Sequence, residues 1–201
     1  MSGIKRDLES VIISKFGKGK VIVLIGPRQV GKTTLFKTML TGITSENSVQ
    51  YWNCDEGEIR SRLSADSVSR FKPLVGKSKF IVIDEAQRVK DIGLVLKILH
   101  DNFPDVQFAV TGSSSLDLSN TINEPLTGRK FEYNLFPFST NELVSRLSLL
   151  EEIKQLENRL IYGFYPDVVN NPGEEKEILS NIVSSYLYKD VLNFRMCVNL
   201  Q

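Results

Sequence analysis

One stretch decides the fold of this 201-residue chain: Gly26-Pro27-Arg28-Gln29-Val30-Gly31-Lys32-Thr33. It fits the pattern G-x-x-x-x-G-K-[ST] at every position. The apolar run 21–25 precedes it, and a helical pattern from about Lys32 to Leu40 follows it. A run of five β-branched and aliphatic residues is too short for a helix and predicts a buried strand. Strand, glycine-bearing loop and helix in this order predict a phosphate-binding loop.

Each part of the loop has a chemical purpose. Successive backbone N–H groups form a nest for phosphate oxygens, and the following helix adds its positive end. We expect Lys32 to reach the β and γ phosphates as a catalytic cation, and the Thr33 hydroxyl to bind magnesium. For Arg28 and Gln29, a solvated position is as consistent with the pattern as a phosphate contact. The expected nucleotide-binding residues are Gly26, Pro27, Arg28, Gln29, Val30, Gly31, Lys32, Thr33 and Thr34.

An acidic pair follows a second apolar run. Asp84 and Glu85 come directly after residues 80–83, which predict another buried strand. At the carboxyl end of that strand, Asp84 can hold magnesium opposite Thr33, and Glu85 can orient and polarise the attacking water. Capping of the next helix by the two carboxylates is the alternative. With the upstream loop present, we predict a metal role for Asp84 and a catalytic role for Glu85.

The second carboxylate indicates a division of P-loop proteins with an additional strand between the two motif-bearing strands. Residues 106–110 are predicted to be that strand. The guanine-reading signature [NT]-K-x-D does not occur, so we expect ATP, together with Mg²⁺, as the nucleotide.

Further polar residues follow the predicted strands. Thr111 or Ser113 can sense the γ phosphate as a catalytic side chain, whereas helix capping is the alternative for Ser113. Arg129 precedes the strand predicted over 130–135. It is a candidate catalytic arginine that neutralises transition-state charge in its own subunit or a neighbour, and a structural ion pair is the alternative.

Strand and helix patterns alternate up to residue 137, with a second strand predicted over 49–53. This order predicts an α/β fold with a doubly wound, mainly parallel five-stranded sheet. Helical patterns dominate later, over 139–162 and again over 174–194. We therefore predict a P-loop ATPase core over 1–137 and a helical annex over 138–201, the beginning of an incomplete C-terminal domain.

The composition of the chain argues against several kinds of partner and against a zinc site. The net charge is +1, so no global field points to nucleic acid or to a membrane surface. Cys54 and Cys197 are accompanied by a single histidine, which excludes a Cys/His zinc site. No apolar run is long enough to cross a bilayer, and a reducing, cytoplasmic location is expected.

The motifs together resemble a prokaryotic family of AAA+-superfamily ATPases whose biological role is poorly defined. Beyond the phosphate-binding loop and Thr34-Leu35, the matching segments are Tyr51-Trp52-Asn53, Ile83-Asp84-Glu85-Ala86-Gln87, Thr111-Gly112-Ser113-Ser114, Leu126-Thr127-Gly128-Arg129, Leu135-Phe136-Pro137-Phe138-Ser139, Gly163-Phe164-Tyr165-Pro166-Asp167-Val168-Val169 and Tyr188-Lys189-Asp190-Val191.

The resemblance implies an ATPase core followed by a longer C-terminal domain, of which this chain holds only the start. Our leading hypothesis is an ATPase whose ATP hydrolysis drives a conformational change that acts on DNA or a protein partner, and a homo-oligomer is compatible with it. Two other functions stay open. A small-molecule or nucleoside kinase shares the P-loop, and a nucleotide-dependent switch binds ATP with little turnover.

Overall fold

The computed structural model of the chain describes residues 3–41, 48–64, 68–113, 122 and 124–184. Its strands are β1 (Val21–Ile25), β2 (Val49–Asn53), β3 (Phe80–Asp84), β4 (Gln107–Gly112) and β5 (Lys130–Asn134). Its helices are α1 (Asp7–Ile13), α2 (Lys32–Thr41), α3 (Gly57–Leu63), α4 (Val68–Val75), α5 (Ile92–Asn102), α6 (Thr140–Arg146), α7 (Leu149–Lys154), α8 (Leu156–Tyr162), α9 (Pro166–Asn170) and α10 (Glu175–Ile182). Among these helices none is long and apolar enough to cross a membrane.

The five strands form one sheet in the order β2-β3-β4-β1-β5, and every neighbouring pair is parallel. The predicted doubly wound α/β sheet is confirmed, and β4 lies between β1 and β3 as expected for the additional strand. Ile25, at the end of β1, pairs with Gly112 and Asn134. We call this end of the sheet the carboxyl edge, and the opposite end, where Val21 pairs with Lys130, the amino edge.

The sheet is covered by apolar side chains on both faces. Val21, Val23 and Ile25 of β1 belong to one buried cluster, and Ile22 and Leu24 belong to the other. Helices α3, α4 and α5 pack in the first cluster, and helices α1 and α2 in the second. Because both faces of β1 are buried, its sequence is apolar throughout instead of alternating with polar residues.

Some element boundaries differ from the sequence prediction. Helix α4 was not predicted, because Pro73 lies inside it and Pro disfavours a helix interior. Its buried residues Phe71 and Val75 pack into the first cluster, and this burial stabilises the helix despite Pro73. Strand β4 begins one residue later than predicted and continues through Gly112, and β5 ends one residue earlier, at Asn134.

The chain divides into two compact units, Lys5–Phe136 and Pro137–Gln201, with Met1–Ile4 assigned to the second. The partition into domains over 1–137 and 138–201 stays a prediction. In the second unit the helical stretch predicted over 139–162 consists of the three helices α6, α7 and α8, and α6 begins with a capping box between Ser139 and Glu142. The helix predicted over 174–194 is present as Glu175–Ile182, and its later part lies outside the described residues.

Candidate nucleotide-binding site

The phosphate-binding loop joins the end of β1 to the start of α2 at the carboxyl edge. A Cβ atom at Gly26 would lie 2.4 Å from the carbonyl oxygen of Leu135, so only glycine fits between β1 and the end of β5. Gln29 and Gly31 have left-handed backbones, with φ of 62° and 96°. Left-handed residues within a loop turn successive N–H groups toward one concave side, which is the geometry of an anion nest.

The other residues of the loop differ in exposure. Val30 is fully buried in the second cluster and anchors the loop. Pro27 and Arg28 are half-buried, whereas Gln29 and Thr34 are exposed. The residues expected to contact nucleotide are thus contiguous on one loop and one helix start, and their individual contacts with nucleotide stay predictions.

Lys32 is buried at the first position of α2 and folds back over the loop. Its Nζ donates hydrogen bonds to the carbonyl oxygens of Gly26 at 2.8 Å and Pro27 at 2.9 Å. Burial lowers the pKa of Lys32 below its ordinary value, while the negative charges of Glu85 and Asp84 oppose that shift. Lys32, Asp84 and Glu85 are therefore close enough at the carboxyl edge for their charges to interact.

Asp84 ends β3 and is buried at the centre of a group of hydroxyls. The Thr33 Oγ1 donates to its Oδ2 at 2.8 Å, and the hydroxyls of Tyr51 and Thr111 also donate to its carboxylate. The start of α2 and the strands β2, β3 and β4 each contribute one of these four residues. The structure brings Thr33 and Asp84, the two predicted magnesium ligands, into direct contact.

Glu85 follows Asp84 with a left-handed backbone, φ 53° and ψ 42°. A non-glycine residue in this conformation costs about 1–2 kcal/mol, and such residues cluster at functional sites. Its side chain makes no capping hydrogen bond to the 3₁₀ turn Ala86–Arg88 that follows. Glu85 therefore does not cap this turn through its carboxylate. Its carboxylate instead accepts a hydrogen bond from the Gln87 Nε2 at 2.6 Å.

Thr111 links the acidic pair to β4. Its Oγ1 accepts the backbone N–H of Glu85 at 3.2 Å and donates to Asp84, and the residue is fully buried. These contacts hold the Asp84 carboxylate and the Glu85 backbone in place, whereas sensing of the γ phosphate by Thr111 stays a prediction. Ser113 follows the end of β4 at the same edge and is half-buried.

Sequence reasoning missed three residues of this site. Tyr51 holds Asp84, and burial, followed by that hydrogen bond, raises the pKa of the phenol. Gln87 holds Glu85. Arg6, which is buried, donates from Nη1 to the Val30 carbonyl at 3.1 Å and so supports the loop. Tyr51 and Gln87 belong to two of the matching motif segments. The contact of Tyr51 with Asp84 depends on the strand register, and the contact of Gln87 with Glu85 depends on the turn after β3.

The structure separates Arg129 from the other predicted site residues. Its carbonyl oxygen accepts the N–H of Val21 at 2.9 Å, so it lies at the amino edge, whereas the loop lies at the carboxyl edge. Five strand residues at about 3.3 Å each put the edges roughly 15 Å apart, beyond the reach of one side chain. The structure therefore places Arg129 away from the nucleotide site of its own subunit, and a catalytic role for this arginine stays a prediction. Arg129 pairs with Asp101 at 3.0 Å, which fits the structural alternative.

A family of AAA domains (AAA_14) has a sequence model that matches residues 18–144 of this chain. The match takes in all five strands and the whole carboxyl edge. The chain belongs to this AAA-domain family. The resemblance stated from the motifs is thereby confirmed, and the chain carries an AAA-type ATPase domain.

Relatives and a solved structure extend the comparison. An uncharacterised protein of Mycobacterium tuberculosis is 32% identical over 126 residues, which are 62% of this chain and 27% of that protein. An uncharacterised protein of Methanocaldococcus jannaschii is 23% identical over 214 residues, covering 98% of this chain and 47% of that protein. This AAA-family chain thus spans less than half the length of these relatives. The Walker-type ATPase of Pyrococcus abyssi shares the fold, with 15% identity, a TM-score of 0.61, and coverage of 96% of this chain and 76% of that one.

Proposed function

We propose that the chain binds ATP and hydrolyses it in a magnesium-dependent reaction that drives a conformational change. One observation carries the proposal: Thr33 and Asp84 are in contact, with Lys32 and Glu85 beside them. A phosphate nest, a cation, a magnesium-binding pair and a candidate base thus share one edge of the sheet.

The residues of the carboxyl edge fit a magnesium ion. A threonine hydroxyl and a carboxylate 2.8 Å apart are hard oxygen ligands of the kind Mg²⁺ prefers, with phosphate oxygens completing its shell. Within the described residues no cluster of three or more His, Cys, Asp or Glu side chains forms a metal site independent of nucleotide. A magnesium ion held by Thr33 and Asp84 would supply positive charge next to the phosphates of the nucleotide.

The protein side chains have separate roles in the proposed reaction. Lys32 places positive charge next to the phosphates, and the loop N–H groups orient them. Glu85 accepts a proton from the attacking water, in a carboxylate position fixed by Gln87 and by the Thr111 contact to its backbone. Tyr51 and Thr111 keep Asp84 oriented toward Thr33.

A kinase is the main alternative, and the contacts of Arg60 and Arg62 give it little support, whereas Arg70 is exposed and lines a cavity together with Arg62. Arg60 donates to the carbonyl oxygens of Cys54 and Asp55, and Arg62 pairs with Glu58 on the same helix. Both side chains are used locally and do not form the mobile arginine-rich lid that such kinases carry. A switch with little turnover is disfavoured by the presence of Glu85.

ATP turnover without any added acceptor separates these functions. The purified chain is incubated with ATP and Mg²⁺, and inorganic phosphate and ADP are measured together, with EDTA as the metal-free control. Equimolar phosphate and ADP support the ATPase. ADP formed only when an alcohol acceptor is added would support the kinase, and ATP binding without either product would support the switch.

The partner on which the ATP cycle acts is proposed by its general class. We propose that the conformational change acts on DNA or on a protein, within a homo-oligomer or a larger assembly. The supporting observation is the membership of an AAA-domain family, since members of the AAA+ superfamily couple ATP hydrolysis to movement of such partners.

A further inference from the structure

Three loops at the amino edge share one composition. Gly17-Lys18-Gly19-Lys20 enters β1, Gly76-Lys77-Ser78-Lys79 enters β3, and Gly128-Arg129-Lys130 leads into β5. Because the strands are parallel, all three loops lie at the same end of the sheet, opposite the nucleotide site. We call the surface formed by these three loops the basic edge.

Three lysines of the basic edge have no anionic partner among the described residues. Lys18, Lys77 and Lys79 are exposed, and no carboxylate in the described part of the chain lies within ion-pair distance of them. In contrast, Arg129 pairs with Asp101, and Lys130 contacts Glu132. Exposed like charges repel one another, so three such ammonium groups at one end of a sheet favour an anionic partner over the free state.

The loops before β1 and β3 are fixed by one glutamine. The Gln107 Oε1 accepts the N–H of Gly17 at 3.0 Å, and its Nε2 donates to the Lys20 carbonyl at 2.8 Å. The backbone N–H of Gln107 donates to the Lys79 carbonyl at 2.9 Å. His100 adds a contact of 3.0 Å from Nε2 to the Gly19 carbonyl. The lysines are therefore carried on ordered backbone, which lowers the entropic cost of binding a partner.

A cavity of about 340 Å³ lies between these two loops, with Lys20, Lys79, His100 and one carboxylate, Asp105, among its lining residues. The row of basic side chains along the basic edge is wider than this cavity. Neighbouring strands lie about 4.8 Å apart, and two such spacings separate β3 from β1, so the row of Lys18, Lys77 and Lys79 extends over roughly 10 Å before side-chain reach is added. Phosphates of one DNA strand recur about every 3.4 Å along the helix axis, so the row faces about three of them.

The kind of anionic partner follows from two residue types that these loops do not expose, aromatic and large apolar side chains. Single-stranded nucleic acid is bound with exposed aromatic rings, but the Phe131 ring near this edge is half-buried, with the ammonium groups of Lys15 and Lys20 over it at 5.4 and 5.0 Å. Membrane surfaces are bound with exposed apolar side chains, and none of the exposed large hydrophobic residues in the described part of the chain belongs to these loops. The partner that fits the basic edge best is a nucleic acid that exposes its phosphates while its bases are not available for contact.

The small net charge of the chain does not argue against this surface. Residues 5–136 contain nineteen Lys and Arg against fifteen Asp and Glu, whereas residues 137–184 contain four against eight. The net charge of +1 thus combines a segment of charge +4 with a segment of charge −4, and residues 185–201 contribute the remaining +1. The field that an approaching anion meets is set by the local charges within about 10 Å of it at physiological ionic strength. At the amino edge the three loops carry six Lys and Arg residues, against Asp101 at the end of α5 and Asp105 of the loop that precedes β4, and Asp101 is paired with Arg129.

We propose that the basic edge binds the phosphate backbone of a nucleic-acid duplex, with Lys18, Lys77 and Lys79 as phosphate contacts. The proposal goes beyond ATP hydrolysis and does not depend on it, since the two sites lie at opposite edges of the sheet. Phosphate contacts carry no sequence information, so we infer binding without sequence preference.

The test measures binding of a fluorescein-labelled DNA duplex by anisotropy, without nucleotide, over a series of salt concentrations. The variant Lys18→Gln/Lys77→Gln/Lys79→Gln is compared with Lys90→Gln/Lys154→Gln/Lys176→Gln, which removes the same charge from exposed positions elsewhere. We expect the first variant to bind at least about tenfold more weakly, with the slope of log K against log salt smaller by about 3, and the second to bind like wild type.

Calorimetry distinguishes loss of the phosphate contacts from loss of the fold. Unchanged ATP-analogue affinity of the first variant shows that its fold is intact, and failure of ATP hydrolysis would leave the duplex result unaffected. The proposal is overturned if wild type does not bind the duplex, or if both triple variants lose affinity equally. Tighter binding to the unpaired strand, or binding to vesicles of anionic lipid in place of DNA, would also overturn it.

Discussion

Lys32 is held by two carbonyl oxygens of its own loop, in a buried position next to two carboxylates. We predict that Lys32→Ala weakens ATP binding by about 2–3 kcal/mol, because it removes a charge-assisted contact to the phosphates. Calorimetry with a non-hydrolysable ATP analogue measures the effect. The exposed Lys72 on α4 gives the control Lys72→Ala, for which we expect wild-type affinity. Equal affinity of wild type and Lys32→Ala would refute the phosphate-binding role.

Glu85 combines a left-handed backbone with a side chain that does not cap the following turn. We predict that Glu85→Gln binds ATP with near-normal affinity but hydrolyses it about 10²–10⁴-fold more slowly, because the amide keeps the size of the side chain and loses its basicity. Phosphate release and analogue binding are measured on the same preparation. Turnover like that of wild type would show that the glutamate is not the base.

Tyr51 provides a test of pH dependence. Its pKa is raised in the folded state, first by burial and then by the hydrogen bond to Asp84, whereas an unfolded tyrosine titrates near about 10. The stabilising contribution of the neutral phenol is therefore complete below pH ~10 and is lost as pH rises beyond it. We predict that Tyr51→Phe lowers the free energy of unfolding by about 1 kcal/mol at neutral pH.

The difference in stability between wild type and Tyr51→Phe should shrink when the pH is raised above about 10. Urea unfolding of both proteins at pH 8 and at about pH 10.5 measures it. A difference that stays constant over this range would mean that the phenol does not hold Asp84 as a neutral donor.

At the scale of elements, the loop after β1 packs directly against the end of β5. A Cβ at Gly26 would meet backbone atoms of Leu135, which cannot move as a side-chain tip can. We predict that Gly26→Ala destabilises the fold by about 1–3 kcal/mol and lowers the melting temperature. Gly57→Ala is the matched control, since its Cβ would approach only the Arg60 guanidinium, at 3.7 Å. Equal melting temperatures for the two variants would contradict the contact.

The elements that carry the site were predictable from local sequence. Strands β1 and β3 are buried on both faces, which is why each was recognisable as a short apolar run, and the carboxyl ends of parallel strands had to bring Thr33 and Asp84 together. The motif residues therefore followed from pattern, and the position of β4 between β1 and β3 followed from the class of P-loop protein that the second carboxylate indicates.

The contacts of Tyr51 and Gln87 were not predictable in this way. Tyr51 reaches Asp84 only because β2 pairs with β3 in a particular register, and Gln87 reaches Glu85 only because Glu85 adopts a left-handed backbone. Arg129 is a different case. A residue that precedes a parallel strand must lie at the amino edge, so the strand direction already placed it away from the nucleotide site of its own subunit.

At the scale of the whole molecule, the nucleotide site and the basic edge occupy opposite ends of one sheet. The strands between them are buried and hydrogen-bonded along their length, so any coupling between ATP and a bound duplex must pass through a rigid sheet or through the helices that cover it. The relatives from M. tuberculosis and M. jannaschii are more than twice as long as the matched part of this chain, and residues outside the match can contribute to that coupling.

Arg129 supplies the last prediction, because its role depends on the assembly. Its pairing with Asp101 at the amino edge predicts that Arg129→Ala loses under about 1 kcal/mol of stability. We also expect turnover within about twofold of wild type, and the same small losses for Asp101→Asn, which breaks the pair from the other side. Phosphate release and thermal unfolding of the two single variants and the double variant measure both quantities.

A finger donated to a neighbouring subunit would behave differently. Such fingers are worth roughly 10³–10⁵ in rate, so Arg129→Ala would nearly abolish turnover while Asp101→Asn would not. Turnover per subunit of the wild type would also rise with protein concentration, since the finger is present only in the assembled state. A flat concentration series together with normal turnover of Arg129→Ala assigns the arginine to the Asp101 pair, and loss of turnover in that variant alone would contradict this assignment.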